Sequence, residues 1–144
     1  MFERIIVATD GSDHAKEAVK VACDLAGKYG SRLHIVHTPQ AIGDTLIVGY
    51  TAVPVPPTKE EIEKAGREVI GATEAAVREA GVTDFTSQLV SGDPAHAIVE
   101  EAKAHKSDLI VMGRRGLGSL TGLLVGSTTT KVAQLAPCAV LTVK

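Results

Sequence analysis

Strand-like and helix-like segments alternate along the whole chain of 144 residues. Short apolar runs rich in β-branched residues are typical of strands that are covered on both faces of a parallel sheet. Such runs occur at residues 4–9, 33–36, 85–90, 109–112 and 139–143. Because parallel strands must be joined by crossovers, the alternation predicts one α/β domain with a five-stranded parallel sheet and helices on both faces.

The segments between these runs carry helix start and stop signals. Ser12 opens the first helix, and Gly30 is placed to end it because glycine adopts the left-handed conformation that often follows a helix. Thr58 and Glu61 have the spacing of a capping box at the second helix. Gly92-Asp93-Pro94 supplies a turn, an N-cap and a first-turn proline for the third. On the second helix, the residues predicted to face the core are Ile62, Ala65, Val69, Ala72, Ala76 and Val77.

One long segment, residues 38–57, departs from the alternation. It carries four of the six prolines and an apolar but irregular stretch at 45–50. Long connections in compact domains usually serve a function or are mobile. We therefore predict a long loop here.

Composition narrows the possible partners. The net charge of −2, the pI near 6.2 and the scarcity of aromatic residues leave neither a basic surface nor a stacking platform for nucleic acid. No apolar run approaches the roughly 20 residues of a membrane span, and no leader pattern precedes the first strand. We therefore expect a cytoplasmic protein with no nucleic-acid or membrane partner. Cys23 and Cys138 lack metal-ligand spacing and are predicted to be small buried hydrophobes.

The strand at 109–112 runs into a glycine-rich loop and then into a helical pattern at 128–134. The loop begins Gly113-Arg114-Arg115-Gly116 and, after nine further residues, ends at Gly126-Ser127. Glycine lets backbone N–H groups approach an anion, and the N–H groups at a helix start carry partial positive charge. The four hydroxyl-bearing residues 127–130 add donors. The loop is therefore predicted to bind phosphate.

Other candidate groups stand at the carboxyl ends of predicted strands, where parallel α/β sheets bind their ligands. Asp10 follows the first strand, where its carboxylate can bind Mg²⁺ directly or through water. The alternative is a turn that only caps the first helix. We favour the metal role because Ser12 and Asp13 can do the capping. Arg114 and Arg115 either reach phosphate oxygens or remain in solvent.

The histidines show no metal-ligand spacing or nucleophile motif. His37 ends the second predicted strand and is interpreted as structural or pocket-lining. The other four are predicted to be ordinary helix and surface residues: His14, His34, His96 and His105.

The glycine loop differs from a Walker A sequence, in which lysine follows glycine directly and precedes Ser or Thr. Here Lys131 lies four residues beyond Ser127. No general base, nucleophile or set of transition-state arginines is recognisable in the sequence. The pattern therefore predicts a site that holds a nucleotide and is at most a weak ATPase.

Together these motifs resemble the universal stress protein family in its nucleotide-binding branch. The likeness covers nearly the whole chain, so we interpret 1–144 as one domain of that family. It rests on the opening 5–12, the loop 92–94, the strand 108–113, the pattern G-x2-G-x9-G-S at Gly113, Gly116, Gly126 and Ser127, and the ending 137–143.

The resemblance implies a strand order of 3-2-1-4-5 in a Rossmann-like, adenine nucleotide alpha hydrolase-like fold. It implies an ATP-type ligand (ATP, ADP or AMP) with Mg²⁺, and a homodimer joined through strand 139–143. By position, Asp10 would serve the phosphates and Mg²⁺, while the chain at His37 and Thr38 would present its backbone to adenine. The residues assigned to the nucleotide are Ala8, Thr9, Asp10, His37, Thr38, Met112, Gly113, Arg114, Arg115, Gly116, Gly126, Ser127 and Thr128.

Three functions follow as hypotheses. The leading one is a cytoplasmic, adenine-nucleotide-binding homodimer that regulates a stress response, with weak or no ATPase activity. The second is an enzyme, either a slow Mg²⁺-dependent ATPase or a nucleotidyl-transfer relative. The third is a dimerisation module with a vestigial pocket, which the intact glycine pattern argues against.

Overall fold

The computed structural model describes residues 1–40, 44–116 and 125–144 of the chain. Seven strands and four helices lie within these ranges. In chain order they are β1 (Arg4–Ala8), α1 (Asp13–Tyr29), β2 (Arg32–His37), β3 (Asp44–Val48), β4 (Thr51–Val55), α2 (Lys59–Glu79), β5 (Phe85–Leu89), α3 (Pro94–Ala104), β6 (Leu109–Gly113), α4 (Ser127–Leu135) and β7 (Ala139–Val143).

Five of these strands form one parallel sheet in the order β5-β2-β1-β6-β7. The central strand is β1, in which Ile5 pairs in register with Leu33 of β2 and Leu109 of β6. Numbered along the chain as the five predicted strands, the order is 3-2-1-4-5. The predicted α/β fold and its strand order are therefore confirmed.

Alternate residues of β1 pack against opposite layers of helices. On one face Ile5 and Val7 belong to a core with residues of α1 and α2. On the other face Ile6 and Ala8 pack with residues of α3 and α4. All four side chains are at most 8% exposed. Burial on both faces explains why the strand reads as a continuous apolar run.

The predicted helix ends are confirmed. Ser12 caps α1 through its hydroxyl, and Gly30 follows the helix with a left-handed φ of 65°. Thr58 and Glu61 form the capping box of α2. Asp93 caps α3 by accepting a hydrogen bond from the third residue of the helix. Local sequence signals therefore determine where these three helices begin.

The segment 38–57, predicted as a long loop, contains an antiparallel hairpin made of β3 and β4. Val48 pairs with Thr51, so Gly49 and Tyr50 form a two-residue turn in which Gly49 has a φ of 64°. Pro54 lies inside β4 and obscured the strand pattern. Proline is tolerated there because a two-stranded ribbon has free edges that need no N–H donor.

The core-facing side of α2 also differs from the prediction. Ala65, Ala72 and Ala76 are exposed, whereas the buried residues of the helix include Gly66 and Thr73. Alanine occurs all around this helix, so the spacing of the alanines does not indicate which side of the helix faces the core. The helix instead packs where Gly66 allows a close approach to Leu89 and Pro39.

Both cysteines are free thiols in the structure. Cys23 is buried in the core and Cys138 is partly buried, and burial raises the pKa of both thiols. None of the helices in the described ranges has the length and apolar character that a membrane span requires.

The two glycines of α2 provide a test of this packing. A Cβ at Gly71 would contact nothing within 4 Å, whereas a Cβ at Gly66 would lie 2.9 Å from Leu89 Cδ1 and 3.0 Å from Pro39 Cγ. We expect Gly71→Ala to raise the free energy of unfolding by about 0.5–1 kcal/mol through helix propensity. Gly66→Ala should be at least about 1 kcal/mol less stable than Gly71→Ala because of overpacking. Urea denaturation measures both, and equal stability of the two variants would contradict the packing described.

Candidate functional site

The carboxyl ends of β1, β2 and β6 lie side by side at one edge of the sheet, here called the carboxyl edge. Ala8, the last residue of β1, pairs with Val36 of β2 and Met112 of β6. The chain moves from β1 to β2 and β5 on one side, and β6 and β7 lie on the other. Open α/β sheets bind ligands at such a reversal of strand order.

A hydrogen-bonded connection joins the ends of β1 and β2. Thr9 donates its backbone N–H to the carbonyl of Val36 (3.0 Å), and its own carbonyl lies 2.7 Å from His37 Nδ1. A carbonyl can only accept, so Nδ1 carries the hydrogen. Burial lowers the pKa of His37, although its hydrogen bond to Thr9 opposes that shift. His37 is therefore a neutral, buried residue that holds the two strand ends together.

Asp10 spans from the end of β1 to the loop that follows β6. Its Oδ1 accepts a hydrogen bond from the backbone N–H of Ser12 (2.9 Å), while Ser12 Oγ caps α1. The expectation that Ser12 and Asp13 leave Asp10 without a structural role is therefore wrong. The other oxygen, Oδ2, lies so close to Gly116 that a Cβ there would overlap it.

Gly113 ends β6 against the start of α1. A Cβ at this position would lie 2.9 Å from His14 Cβ and 3.0 Å from the backbone nitrogen of Ala15. Only glycine therefore allows the first turn of α1 to sit this close to the end of β6. His14, predicted to be an ordinary residue, borders the site through this contact.

The two ends of the glycine-rich loop meet. Gly126 donates its N–H to the carbonyl of Arg114 (2.8 Å), and Arg114 donates its N–H to the carbonyl of Val143 in β7 (2.7 Å). Gly116 and Gly126 are thus brought together beside Asp10. The loop residues 117–124 lie outside the described residues.

Two of the four hydroxyls predicted to serve phosphate have structural partners instead. Thr129 Oγ1 donates to the carbonyl of Gly113 (2.9 Å), and Thr130 Oγ1 donates to that of Gly126 (3.0 Å). Ser127 is exposed and Thr128 is half-buried in the first turn of α4. Gly126 is the N-cap residue and supplies no side-chain hydrogen bond. The start of α4 therefore presents backbone N–H groups together with the hydroxyl-bearing residues 127 and 128.

Three buried polar atoms near this edge have no hydrogen-bond partner within the part of the chain that the structure describes. They are Thr38 Oγ1 after β2, Arg114 Nε after β6 and His14 Nδ1 in α1. A buried polar atom without a partner costs about 1–3 kcal/mol, so native proteins usually satisfy such atoms with water or a ligand. Ala8 and Met112 add a buried apolar surface between them, and Arg115 is half-buried.

The structure corrects the interpretation of His34 as a surface residue. His34 is 5% exposed, and its ring stacks on His105 with centroids 3.8 Å apart. Burial lowers the pKa of His34, and the neighbouring His105 lowers it further. The alternation of β2 places residue 34 on a buried face. Its partner His105 stands 71 positions further along the chain, and no local pattern could indicate this pairing.

Comparison with known proteins agrees with this architecture. The model of the universal stress protein family matches residues 1–144. A Thermus aquaticus protein described as "Universal stress protein in QAH/OAS sulfhydrylase 3'region" is 40% identical over 144 residues, covering 100% of both chains. The Bacillus subtilis universal stress protein YxiE is 33% identical over 149 residues, again covering 100% of both.

A solved structure of a universal stress protein in complex with cAMP superimposes with a TM-score of 0.74. It is 30% identical in sequence, and the match covers 99% of this chain and 97% of that one.

The buried imidazole of His37 predicts a pH dependence of stability. In the unfolded chain a histidine titrates near pH 6.5, whereas the folded pKa of His37 is lower. The unfolded state therefore binds more protons as the pH falls below about 6.5, and the free energy of unfolding decreases. We expect urea midpoints to drop between about pH 7.5 and about pH 5.5, and to drop less in His37→Asn, whose amide can still donate to Thr9. An unchanged drop in the variant would contradict this role.

Proposed function

The chain belongs to the universal stress protein family, and we propose that its carboxyl edge binds ATP together with Mg²⁺. The observation that carries the proposal is the meeting of three features: the Asp10 carboxylate, the glycine backbone of the loop after β6, and the start of α4. This combination supports membership of the nucleotide-binding branch of the family. It also fits the cAMP complex of the solved relative, since both ligands contain adenine, ribose and phosphate.

The phosphate end of the nucleotide would lie against the start of α4. There the N–H groups of the first turn point out of the helix, and the helix dipole favours negative charge. Ser127 and Thr128 add hydroxyl donors, while Gly116 and Gly126 keep side chains away from the backbone. Arg114 Nε is a buried donor on the same side. These groups suit a chain of phosphates.

The adenine end would lie between the ends of β1 and β2. Ala8 and Met112 provide a buried apolar floor, and Thr9 lies directly beyond it. The hydroxyl of Thr38, which has no partner among the described residues, would meet the edge of the base, whereas the carbonyl of His37, also predicted to face adenine, already accepts the N–H of Val90 (3.0 Å). A flat, mostly apolar wall with a few directional polar groups is typical of small-molecule sites.

Asp10 would hold the metal. Mg²⁺ prefers oxygen ligands and is usually bound by one or two carboxylates together with substrate phosphates. Oδ1 accepts the N–H of Ser12, and Oδ2 lies beside Gly116 of the glycine-rich loop, so the carboxylate stands where the proposed phosphates would lie. The donor set therefore fits Mg²⁺, which would neutralise phosphate charge when bound.

We further propose that binding, rather than rapid hydrolysis, is the function, and that the nucleotide state regulates a cytoplasmic stress response. The sequence contains no recognisable general base, nucleophile or set of transition-state arginines, and the ring of His37 is held by its hydrogen bond to the carbonyl of Thr9. A slow Mg²⁺-dependent ATPase remains the enzyme alternative. Single-turnover release of phosphate from bound ATP, compared between the wild type and an Asp10→Asn, Ser127→Ala double variant, separates the two.

We also propose a homodimer joined through β7. This strand is an edge of the sheet and pairs with β6 on one side. The carbonyl of Val143 accepts the N–H of Arg114, the residue after β6, so the backbone groups of Val143 point towards β6. Along a strand, the backbone groups of successive residues point alternately towards the two neighbouring edges. Val140 and Thr142 therefore direct theirs to the open edge. Antiparallel pairing of two copies about a twofold axis would satisfy them.

The resident ligand can be identified directly. Protein purified without added nucleotide and then denatured should release an adenine nucleotide that mass spectrometry can assign as ATP, ADP, AMP or cAMP. We expect ATP in the majority. A protein that releases no nucleotide and shows no calorimetric binding of ATP would instead indicate a dimerisation module with a vestigial pocket.

Asp10→Asn tests the metal role while keeping the acceptor for Ser12. We expect the affinity for ATP to fall about 10–100-fold in Mg²⁺, which corresponds to roughly 1.4–2.7 kcal/mol. In EDTA the affinity should stay equal or rise, because removing a carboxylate reduces repulsion of the phosphates. Calorimetric titration measures both, with the exposed Asp24→Asn as the control. An equal fall in both buffers would mean that Asp10 contacts the nucleotide or supports the fold instead.

Thr142→Pro tests the dimer. Proline removes the outward-facing N–H of an exposed edge residue but leaves the bonds to β6, so the variant should fold and become monomeric. Thr142→Ala, which keeps the N–H, should remain a dimer. Sedimentation equilibrium with circular dichroism distinguishes the outcomes. A dimer that survives Thr142→Pro would show that β7 is not the interface.

A further inference from the structure

Two histidines and a glutamate meet at the opposite, amino edge of the sheet. His34 lies in β2, Glu101 lies in α3, and His105 follows α3 as its C-cap residue. Glu101 Oε2 is 3.2 Å from His34 Nε2 and 3.3 Å from His105 Nε2. One ligand atom from each of the three residues can be chosen so that all three lie within 4.8 Å of one another. We call these residues the amino-edge cluster.

The spacing of the cluster matches metal coordination. Zn²⁺ binds histidine nitrogen and carboxylate oxygen at about 2.0–2.2 Å in a tetrahedron, which puts neighbouring ligand atoms roughly 3.3 Å apart. The two nitrogen-to-oxygen distances already have this value. The two imidazoles are already stacked with centroids 3.8 Å apart, so completing the third side requires the rings to tilt towards the ion. Glu101 and His105 are four residues apart, so the helix presents both on one face.

Thr86 supports His34 from behind. Its Oγ1 lies 2.7 Å from His34 Nδ1, on the side of the ring away from Glu101. If Nδ1–H donates to this hydroxyl, Nε2 presents its lone pair towards the cluster, which is the tautomer a metal needs. In this tautomer Nε2 and the carboxylate oxygen, 3.2 Å apart, both present lone pairs, and an ion bound to both would remove their repulsion; in the other tautomer Nε2–H donates to Glu101 and Thr86 donates to Nδ1. Histidine ligands in metal sites characteristically have such a partner on the other nitrogen.

An open pocket adjoins the two imidazoles. It has a volume of about 60 Å³ and is also lined by Arg4, Ile5, Arg32, Thr86 and Ser107. Ser107 Oγ is buried and has no hydrogen-bond partner within the described parts of the chain. The pocket can hold one or two waters, since a water occupies about 30 Å³ in the liquid. It therefore has room for the water that would complete the coordination of an ion held by three protein ligands.

The arginines set the electrostatics of this pocket. Arg32 Nε lies 3.5 Å from Asp84, which offsets one of the two positive charges, and Arg4 is exposed at the rim. Positive charge at the rim weakens the attraction of a cation and favours a hydroxide or another anionic ligand on it. The cluster itself contributes one carboxylate and two imidazoles, which is a donor set for borderline ions rather than for Mg²⁺ or Ca²⁺.

We propose that His34, Glu101 and His105 bind a single Zn²⁺-class ion (Zn²⁺, Co²⁺ or Ni²⁺) at the amino edge of the sheet. The ion would join the end of α3 to β2 and carry water on the side of the pocket. The proposal does not depend on the nucleotide site, which lies at the other edge and uses oxygen ligands.

Titration of untagged, chelator-treated protein with Zn²⁺ and Co²⁺ tests the proposal. We expect one equivalent to bind, a visible d–d absorption with Co²⁺, and no displacement by excess Mg²⁺. His105→Asn should weaken Zn²⁺ binding at least about tenfold, because even a residue that only orients a metal ligand is worth 10–100-fold. The side chain of His105 is 40% exposed, so its loss should leave the core intact.

His96→Asn is the matched control. Its Nδ1 lies 3.0 Å from Asp93, which gives a histidine–carboxylate pair at the surface without a second imidazole. This variant should bind Zn²⁺ like the wild type. Glu101→Gln keeps the size of the side chain and removes its charge, so it provides a second test if His105→Asn misfolds.

Several results would overturn the proposal. One is the absence of stoichiometric binding. A second is equal weakening in the control and in the cluster variants, and a third is an intense near-ultraviolet band with Co²⁺, which would indicate cysteine ligands instead. Binding of inorganic phosphate with no binding of Zn²⁺ would show that the arginine-lined pocket is an anion site.

Discussion

Parallel pairing of β1 with both β2 and β6 determines where the chemically useful residues lie. The register aligns Ala8 with Val36 and Met112, so the three strands end at nearly the same level. Each strand contributes only a few residues beyond its last hydrogen bond before the chain turns into another element. Asp10, Thr38 and Gly113 are therefore close together although they are far apart in sequence. Bringing them together requires no loss of conformational entropy beyond that of forming the sheet.

Close backbone approach is the second requirement at this edge. Gly113 admits the first turn of α1, and Gly116 admits the Asp10 carboxylate. Gly126 differs, because a Cβ there would meet Arg114 and Arg115 at 3.5 Å, an ordinary contact distance. Its importance lies in the hydrogen bond that closes the loop and in leaving the start of α4 without a side-chain cap. The glycines of one motif thus have different physical roles.

The parts of the fold that could be predicted from the sequence depend on local signals. Capping residues at α1, α2 and α3 act within a turn of the chain, and doubly buried strands need continuous apolar runs. The errors arose where such signals are absent or conflict. Pro54 made β4 unrecognisable as a strand in the sequence. Alanines on every side of α2 gave no indication that the helix packs at Gly66. The clustering of candidate site residues was predictable from strand ends, but the hydrogen bonds of Asp10, Thr129 and Thr130 required the three-dimensional arrangement.

The two edges of the sheet differ in the chemistry of their donors, and this difference follows from what each edge contains. At the carboxyl edge, chain reversals and a helix start present backbone N–H groups and one carboxylate, which suit phosphate and a hard, oxygen-seeking cation. At the amino edge, side chains from the beginning of β2 and the end of α3 converge, and His34 and His105 are stacked there beside Glu101. Imidazole favours borderline ions over Mg²⁺. The two proposals together therefore predict that Mg²⁺ with nucleotide and a Zn²⁺-class ion can be bound separately, so that the effect of each on the free energy of unfolding can be measured in the same protein.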